Sequence, residues 1–237
     1  MHITVWDEAL QLSDEKVREV YPDGIARVIG DYLKKALGCE VTCTHAKMED
    51  WGLPGELLKR TDVLIFWAHK THDRFPDALA AGICQRVIQG MGLIVLHSAH
   101  LSKIFKQLMG TSCTLKYRYD DYVRIWTVDP THPIAQGLPE YFDLENEEMY
   151  GECFDIPKPD DVVFASWFLG GNIFRGGCTW RRGYGKVFYF HPGHETDRAF
   201  YNENVLKILL NGAKWAFPQE IKTNIGCEKC PAINIHK

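Results

Sequence analysis

Apolar residues along the chain fall into short continuous runs separated by longer segments with helical spacing. Ile3 to Trp6, Glu40 to Thr44, Val63 to Trp67 and Leu93 to Leu96 have strand length. The third and fourth carry no polar residue on either side, which is the mark of a parallel strand buried on both faces. After Pro22-Asp23-Gly24, residues Ile25, Val28, Ile29, Tyr32, Leu33 and Leu37 recur at helical spacing up to Gly38, a stop signal. Leu53 to Leu58 predicts a short connecting helix. Asp77 to Gln89 predicts a longer one, with Leu79, Ile83, Val87 and Ile88 facing inward, and Ser102 to Leu108 predicts another. The alternation β-α-β-α-β-α-β-α predicts an α/β fold with a mostly parallel central sheet between two helical layers.

The pattern then changes. Thr114 to Val128 is rich in Tyr, Arg and β-branched residues and predicts strands, and residues 129–139 carry three prolines and predict a loop. Asp143 to Tyr150 is acidic. Val162 to Trp167, Asn172 to Trp180 and Lys186 to Phe190 predict antiparallel strands joined by glycine turns, and Asn202 to Phe217 predicts a closing helix ended by Pro218. The expected organisation is one domain over residues 1–217, with antiparallel strands in its C-terminal half, followed by a tail over 218–237.

Ligands of doubly wound sheets bind outside the carboxyl ends of the strands. The histidines collect there. His69, His72 and Asp73 follow the third strand, and His97, Ser98 and His100 follow the fourth. His194 and Glu195 follow Val187 to Phe190. Burying an imidazole requires a hydrogen bond or neutrality, so a strand that runs into histidines calls for a reason. His97 occupies the sharp strand-to-helix turn where hydrolases of this architecture expose a nucleophile. The acidic run supplies Glu147, Glu148 and Tyr150, and a carboxylate beside histidines serves a metal or a proton relay. Each feature has a plain alternative: solvated loop histidines at 69 and 72, a satisfied core histidine with Ser98 as a cap, a solvated acidic face, and a turn whose imidazoles bind only backbone. Cys227-x-x-Cys230 is half of a tetrahedral zinc site that His236, or Cys39 and Cys43, could complete, or else two free thiols.

Composition narrows the classes. The net charge of −4 and the isolated basic pairs Lys34-Lys35 and Arg181-Arg182 argue against a nucleic-acid partner. No apolar run approaches the roughly 18 residues of a membrane span. The start His2-Ile3-Thr4-Val5-Trp6 reads as a core strand rather than an export signal, so a cytoplasmic location with the eight cysteines reduced is expected.

Taken together, the segments WAHKTHD, GMGLIVLHSAHLSKIFKQLMG, EEMYGECFDIP, GGCTWRRGYGKVFYF and PGHE, with a last helix ending NGAKWA, resemble the ThuA-like, or trehalose-utilisation, family over nearly the whole chain up to Phe217. The resemblance implies a flavodoxin-like three-layer fold within the class I glutamine amidotransferase-like superfamily, and a carbohydrate substrate. Members of that superfamily with glutaminase activity carry a cysteine at the elbow. This chain has His97 there, and imidazole is a poor substitute for the attacking thiolate. Cys84 falls inside the preceding helix, so glutamine amidotransferase activity is not expected.

The expected catalytic set is His97, His194, Glu195 and one or both of Glu147 and Glu148, with His69, His72, Asp73, Ser98, His100 and Tyr150 binding substrate. Such a set could hold a divalent metal, zinc first, that polarises a sugar carbonyl or generates hydroxide, or it could shuttle protons between adjacent carbons of a keto-sugar. Trp67, Trp126, Trp167 and Tyr150 are available to stack on sugar faces. Two readings stay open: an isomerase or hydrolase of a keto-sugar, and a non-catalytic sugar-binding or regulatory module. A homo-oligomer is expected, with Cys227, Cys230 and zinc as one possible tie between subunits.

Overall fold

The run Leu93 to Leu96 lies in an interior strand of the sheet. The computed structural model describes residues 1–232. Its strands are β1 (His2–Asp7), β2 (Glu40–His45), β3 (Val63–Trp67), β4 (Gly92–Leu96), β5 (Lys116–Thr127), β6 (Tyr141–Gly151), β7 (Asp161–Phe168), β8 (Ile173–Arg182) and β9 (Gly185–Phe190). They form one nine-stranded sheet in the order β2-β1-β3-β4-β9-β8-β7-β5-β6. The first five in that order run parallel, and from β9 outward every pair is antiparallel. This is the doubly wound α/β fold expected from the sequence, with the antiparallel half built onto the edge formed by β9. Residues of β3 and β4 are buried throughout, as their uninterrupted apolar runs require.

The helices are α1 (Glu15–Val20), α2 (Ile25–Leu37), α3 (Gly55–Arg60), α4 (Asp77–Gln89), α5 (Lys103–Met109) and α6 (Glu203–Ala216). The end of β1 starts α2: Asp7 accepts hydrogen bonds from Ala9 N at 2.7 Å and Ala26 N at 2.8 Å. Gly24, with φ of 89°, closes the turn after α1 and is the N-cap of α2. Ser102 caps α5 through Phe105 N, and Asn202 caps α6 through Asn204 N and Val205 N. Helix α6 lies directly on the sheet, so that a Cβ at Gly212 would sit 3.2 Å from both Ile94 and Phe188. Among the described residues, no helix is long and apolar enough to cross a membrane.

Two elements differ from the expectation. Helix α1 was not foreseen because it buries one residue, Val17, and so shows no apolar stripe. The acidic run from Asp143 lies within β6, paired along β5. Past Pro218 the described chain has no helix or strand, but Lys222 N donates to Gln89 O at 2.8 Å and ties its start to the end of α4.

Register shifts in the β5–β6 pair decide what faces the site. Val123 pairs with Leu144 and Asp121 with Glu147, so β6 carries one extra residue between these pairs. Each inserted residue reverses the alternation of side chains. Glu147 therefore shares the face of Leu144, and Glu148 and Tyr150 take the opposite one.

Ile94→Ala removes packing between β4 and α6. It is expected to lower the unfolding free energy by about 2–5 kcal/mol, read from the midpoint of urea denaturation at an unchanged slope.

Candidate active site

His97 ends β4 in the left-handed conformation, with φ of 53°. A non-glycine residue held there is strained, and the conformation lifts the side chain out over the strand ends. The ring is fully buried between two aromatic planes: Trp67 at 6.3 Å between centroids and 6° between planes, and Tyr150 at 5.5 Å and 18°. Its Nδ1 lies 3.3 Å from His191 O. A carbonyl oxygen only accepts, so Nδ1 carries the proton and Nε2 presents a lone pair. That Nε2 is 3.3 Å from Glu148 Oε2 but not aligned for a hydrogen bond, and it is a buried nitrogen without a hydrogen-bond partner. Burial lowers the pKa of His97, against the pull of Glu148.

The two adjacent glutamates of β6 have separate tasks. Glu147 is wholly buried, and its oxygens accept from Gly193 N at 2.7 Å, His194 N at 3.0 Å and Glu148 N at 3.1 Å. It fastens the loop after β9 to β6. Burial, with the charge of Asp197, pushes its carboxyl up to about 8 against these three N–H groups. Glu148 is the one that faces the histidines, and the Tyr150 hydroxyl donates to its Oε2 at 3.0 Å. Burial works to raise the Glu148 pKa, but His97, His69 and the Tyr150 hydroxyl outweigh it, and the net shift is downward.

The loop after β3 is held by Glu8, a buried carboxylate that accepts from Lys70 N at 2.7 Å, from Thr71 N at 2.8 Å and from the Thr71 hydroxyl. This presents His69, whose Nδ1 bonds Glu195 Oε2. Lys70 Nζ lies 2.8 Å from the other oxygen. Burial pushes Glu195 upward, but His69, His194 and Lys70 hold it far below the usual carboxylate range. The rings of His69, His97 and His194 are mutually 5.2–5.6 Å apart. Two sets bring their ligand atoms within 4.8 Å of one another: His69, Glu148 and His194, and His69, His97 and Glu195. Imidazoles and carboxylates in that arrangement can hold a divalent cation.

Beside this cluster opens a cavity of about 310 Å³, whose walls include His69, Ser98, His100, Glu148 and Tyr150. Ser98 Oγ donates to Ala68 O, and His100 Nδ1 bonds Cys113 O at 2.6 Å. Asp73 is exposed, and His72 has both ring nitrogens buried without a hydrogen-bond partner; neither lines the cavity. The stacking aromatics need correction. Trp67 is buried against His97, Trp126 and Trp167 line a separate concavity with Arg124, and Tyr150 stacks on His97. The exposed rings on the cavity are instead Tyr117 and Tyr119. Cys227 and Cys230 are exposed free thiols that join no group of three ligating side chains among the described residues. The Cys43 thiol donates to Ala26 O, and His236 lies outside the described residues. Glu8 and Lys70 are the members that the sequence did not single out, although Glu8 follows β1 at the same sheet edge.

The sequence model of the ThuA family, described as trehalose utilisation, matches residues 3–216. Among solved structures, a ThuA-like protein of Parabacteroides merdae aligns with a TM-score of 0.68 at 13% identity, covering 95% of this chain and 92% of that one. A ThuA-like protein of Bacteroides uniformis gives 0.66 at 16% identity, with 93% and 92% covered. A cytoplasmic protein of Salmonella typhimurium gives 0.64 at 12% identity, with 92% and 100% covered. At these identities the likeness is one of fold. No curated protein matches the sequence.

The buried histidines set a pH dependence. Burial pushes His100 down to about 3 and His72 to about 4 from an ordinary 6.5, and His97 and His191 also downward. Above 6.5 both folded and unfolded chains keep these rings neutral. As pH falls from 6.5 towards about 3, the unfolded chain binds a proton at His100 that the folded chain refuses, so stability falls. His100→Phe is expected to flatten the fall by about 1.4 kcal/mol per pH unit, measured by urea denaturation across that range. An unchanged slope would show that His100 titrates normally in the folded state.

Proposed function

The chain belongs to the ThuA, or trehalose-utilisation, family, and from that premise we propose that it is an enzyme acting on a sugar or keto-sugar at the His69–His97–His194–Glu148 cluster, with a divalent cation bound there. The observation that carries this reading is the buried His97 Nε2, which has no hydrogen-bond partner and lies 3.3 Å from Glu148 Oε2. Two lone pairs at that distance repel unless a positive species lies near both. A proton on His97 would serve, but burial works against it. A divalent cation near both would relieve the contact, and His69, Glu148 and His194 already bring ligand atoms within 4.8 Å of one another.

Two imidazoles and a carboxylate, as in either group of ligating side chains, suit zinc best. When bound, such an ion supplies Lewis-acid polarisation of a sugar carbonyl or hydroxyl. The protein's own groups do the rest. Glu195 holds Nδ1 of His69, the arrangement that orients a ligating imidazole. Glu148 would hold the cation from the cavity wall, and the Tyr150 hydroxyl keeps its Oε2 in place. The elbow carries no thiol. Cys84 lies in α4, where its thiol donates to Ile104 O and burial pushes it up to about 12, so it offers no nucleophile for amide hydrolysis.

Elemental analysis of the purified protein tests the reading. Bound divalent metal is expected in the wild type and in Cys227→Ala, and its loss in His97→Ala and Glu148→Gln. Glu195→Gln should weaken metal binding roughly 10–100-fold. Turnover of a keto-sugar should fall with metal content. Metal retained in folded His97→Ala would sink the proposal, and saturable sugar binding with no product would favour the non-catalytic module.

A further inference from the structure

Two tyrosines that the chemistry above does not use stand over the cavity. Tyr117 and Tyr119 are alternate residues of β5, and both line the cavity with Glu148 and Tyr150. Both stay open to solvent, at 61% and 60% exposure. Their rings meet edge to face at 5.8 Å, and the Tyr119 ring lies 6.2 Å from that of His194. Tyr117 sits directly across from Tyr150 on β6. The register shift between Arg118 and Asp121 inserts an extra residue in β5 beside Tyr119, a device that re-aims side chains next to sites. Neither ring serves the hydrophobic core.

The charge of the cavity is equally informative. Its lining includes one carboxylate, Glu148, and no lysine or arginine. Lys70, nearby, is engaged with Glu195 at 2.8 Å and Asp14 at 3.8 Å. Away from the end where the proposed cation would sit, an anionic substituent would find no basic side chain on the wall. An aromatic wall beside a polar end fits a ligand with one C–H face and a rim of hydroxyls, as a pyranose ring has.

We propose that Tyr117 and Tyr119 form an aromatic platform that selects an uncharged, ring-closed pyranoside and turns its hydroxyl rim towards His69 and Glu148. This rests on the sugar reading of the site. The platform discriminates against open-chain polyols, which have no flat apolar face, and against sugars phosphorylated at the end that rests on the tyrosines, where no lysine or arginine of the wall meets the phosphate.

Titration calorimetry on the full chain as purified tests it, with trehalose, methyl α-glucopyranoside, sorbitol and glucose 6-phosphate as probes. Metal content is measured on every variant, so that a lost cation or a failed fold is seen separately. The pyranosides are expected to bind more tightly than sorbitol and glucose 6-phosphate. The double variant Tyr117→Ala/Tyr119→Ala should weaken pyranoside binding roughly tenfold with metal content unchanged. The pair Tyr117→Phe/Tyr119→Phe should bind as the wild type does, since the ring face and not the hydroxyl makes the contact. Pyranoside binding that ignores the alanine pair would overturn the platform while leaving the sugar reading intact. So would equal binding of sorbitol, or tighter binding of glucose 6-phosphate. If no probe binds protein that keeps its metal, the platform and the sugar reading both fall, and the metal site alone stands.

Discussion

Glu147 joins the two halves of this protein. It lies on β6 in the antiparallel half, and its carboxylate accepts backbone hydrogen bonds from Gly193 and His194 in the loop that follows the last parallel strand. Without exposure to solvent, it has no competing partner in water. Removing it would leave the N–H groups of Gly193 and His194 without their acceptor, and such groups are expensive when buried. The link fixes where His194 and Glu195 stand relative to Glu148. A second link runs across the same place, since the Trp67 indole donates to Gly193 O at 2.8 Å. The loop after β9 is thereby held from β3 and from β6, and the cluster is set in rigid surroundings.

Within that frame the electrostatics are unusual. Three imidazoles and two carboxylates lie close together, and burial lowers the pKa of His97. The carboxylates remain ionised because histidines, Lys70 and a tyrosine hydroxyl outweigh the loss of solvation. Glu8 and Glu147 do not contact substrate space but fix backbone amides on either side of it. Carboxylates thus act in two layers, one chemical and one structural, and the structural layer holds the histidine-bearing loops in place.

The elbow at His97 shows that backbone geometry and side-chain chemistry are set separately. A buried strand runs into a left-handed turn, and the side chain delivered there is an imidazole. An αL residue at the end of a central strand projects over the strand ends whatever its chemistry, so the same geometry can present a nucleophile or a metal ligand. His97 then gains its character from neighbours distant in sequence: Trp67 and Tyr150 on its two faces, the His191 carbonyl on one nitrogen, and Glu148 opposite the other.

The sequence by itself determined the α/β alternation, the parallel core and the sheet edge where His69, His97 and His194 gather. Those features depend on local periodicity and on the rule that doubly wound sheets bind ligands at the strand carboxyl ends. It left open which glutamate faces the cleft, and there only the tertiary structure decides. Counting by twos from Phe142 and Leu144 places Glu148 on the core face, but the extra residue in β6 reverses the parity beyond it, and Glu147 is the one that shares the face of Leu144. A register shift exists only in the pairing of two strands, so neither strand shows it alone. The aromatic residues follow the same logic. The sequence offered Trp67, Trp126, Trp167 and Tyr150 for stacking, whereas of these Tyr150 alone lines the cavity, beside Tyr117 and Tyr119. Which ring faces a cavity depends on contacts made across the sheet, and those are set by packing rather than by residue type.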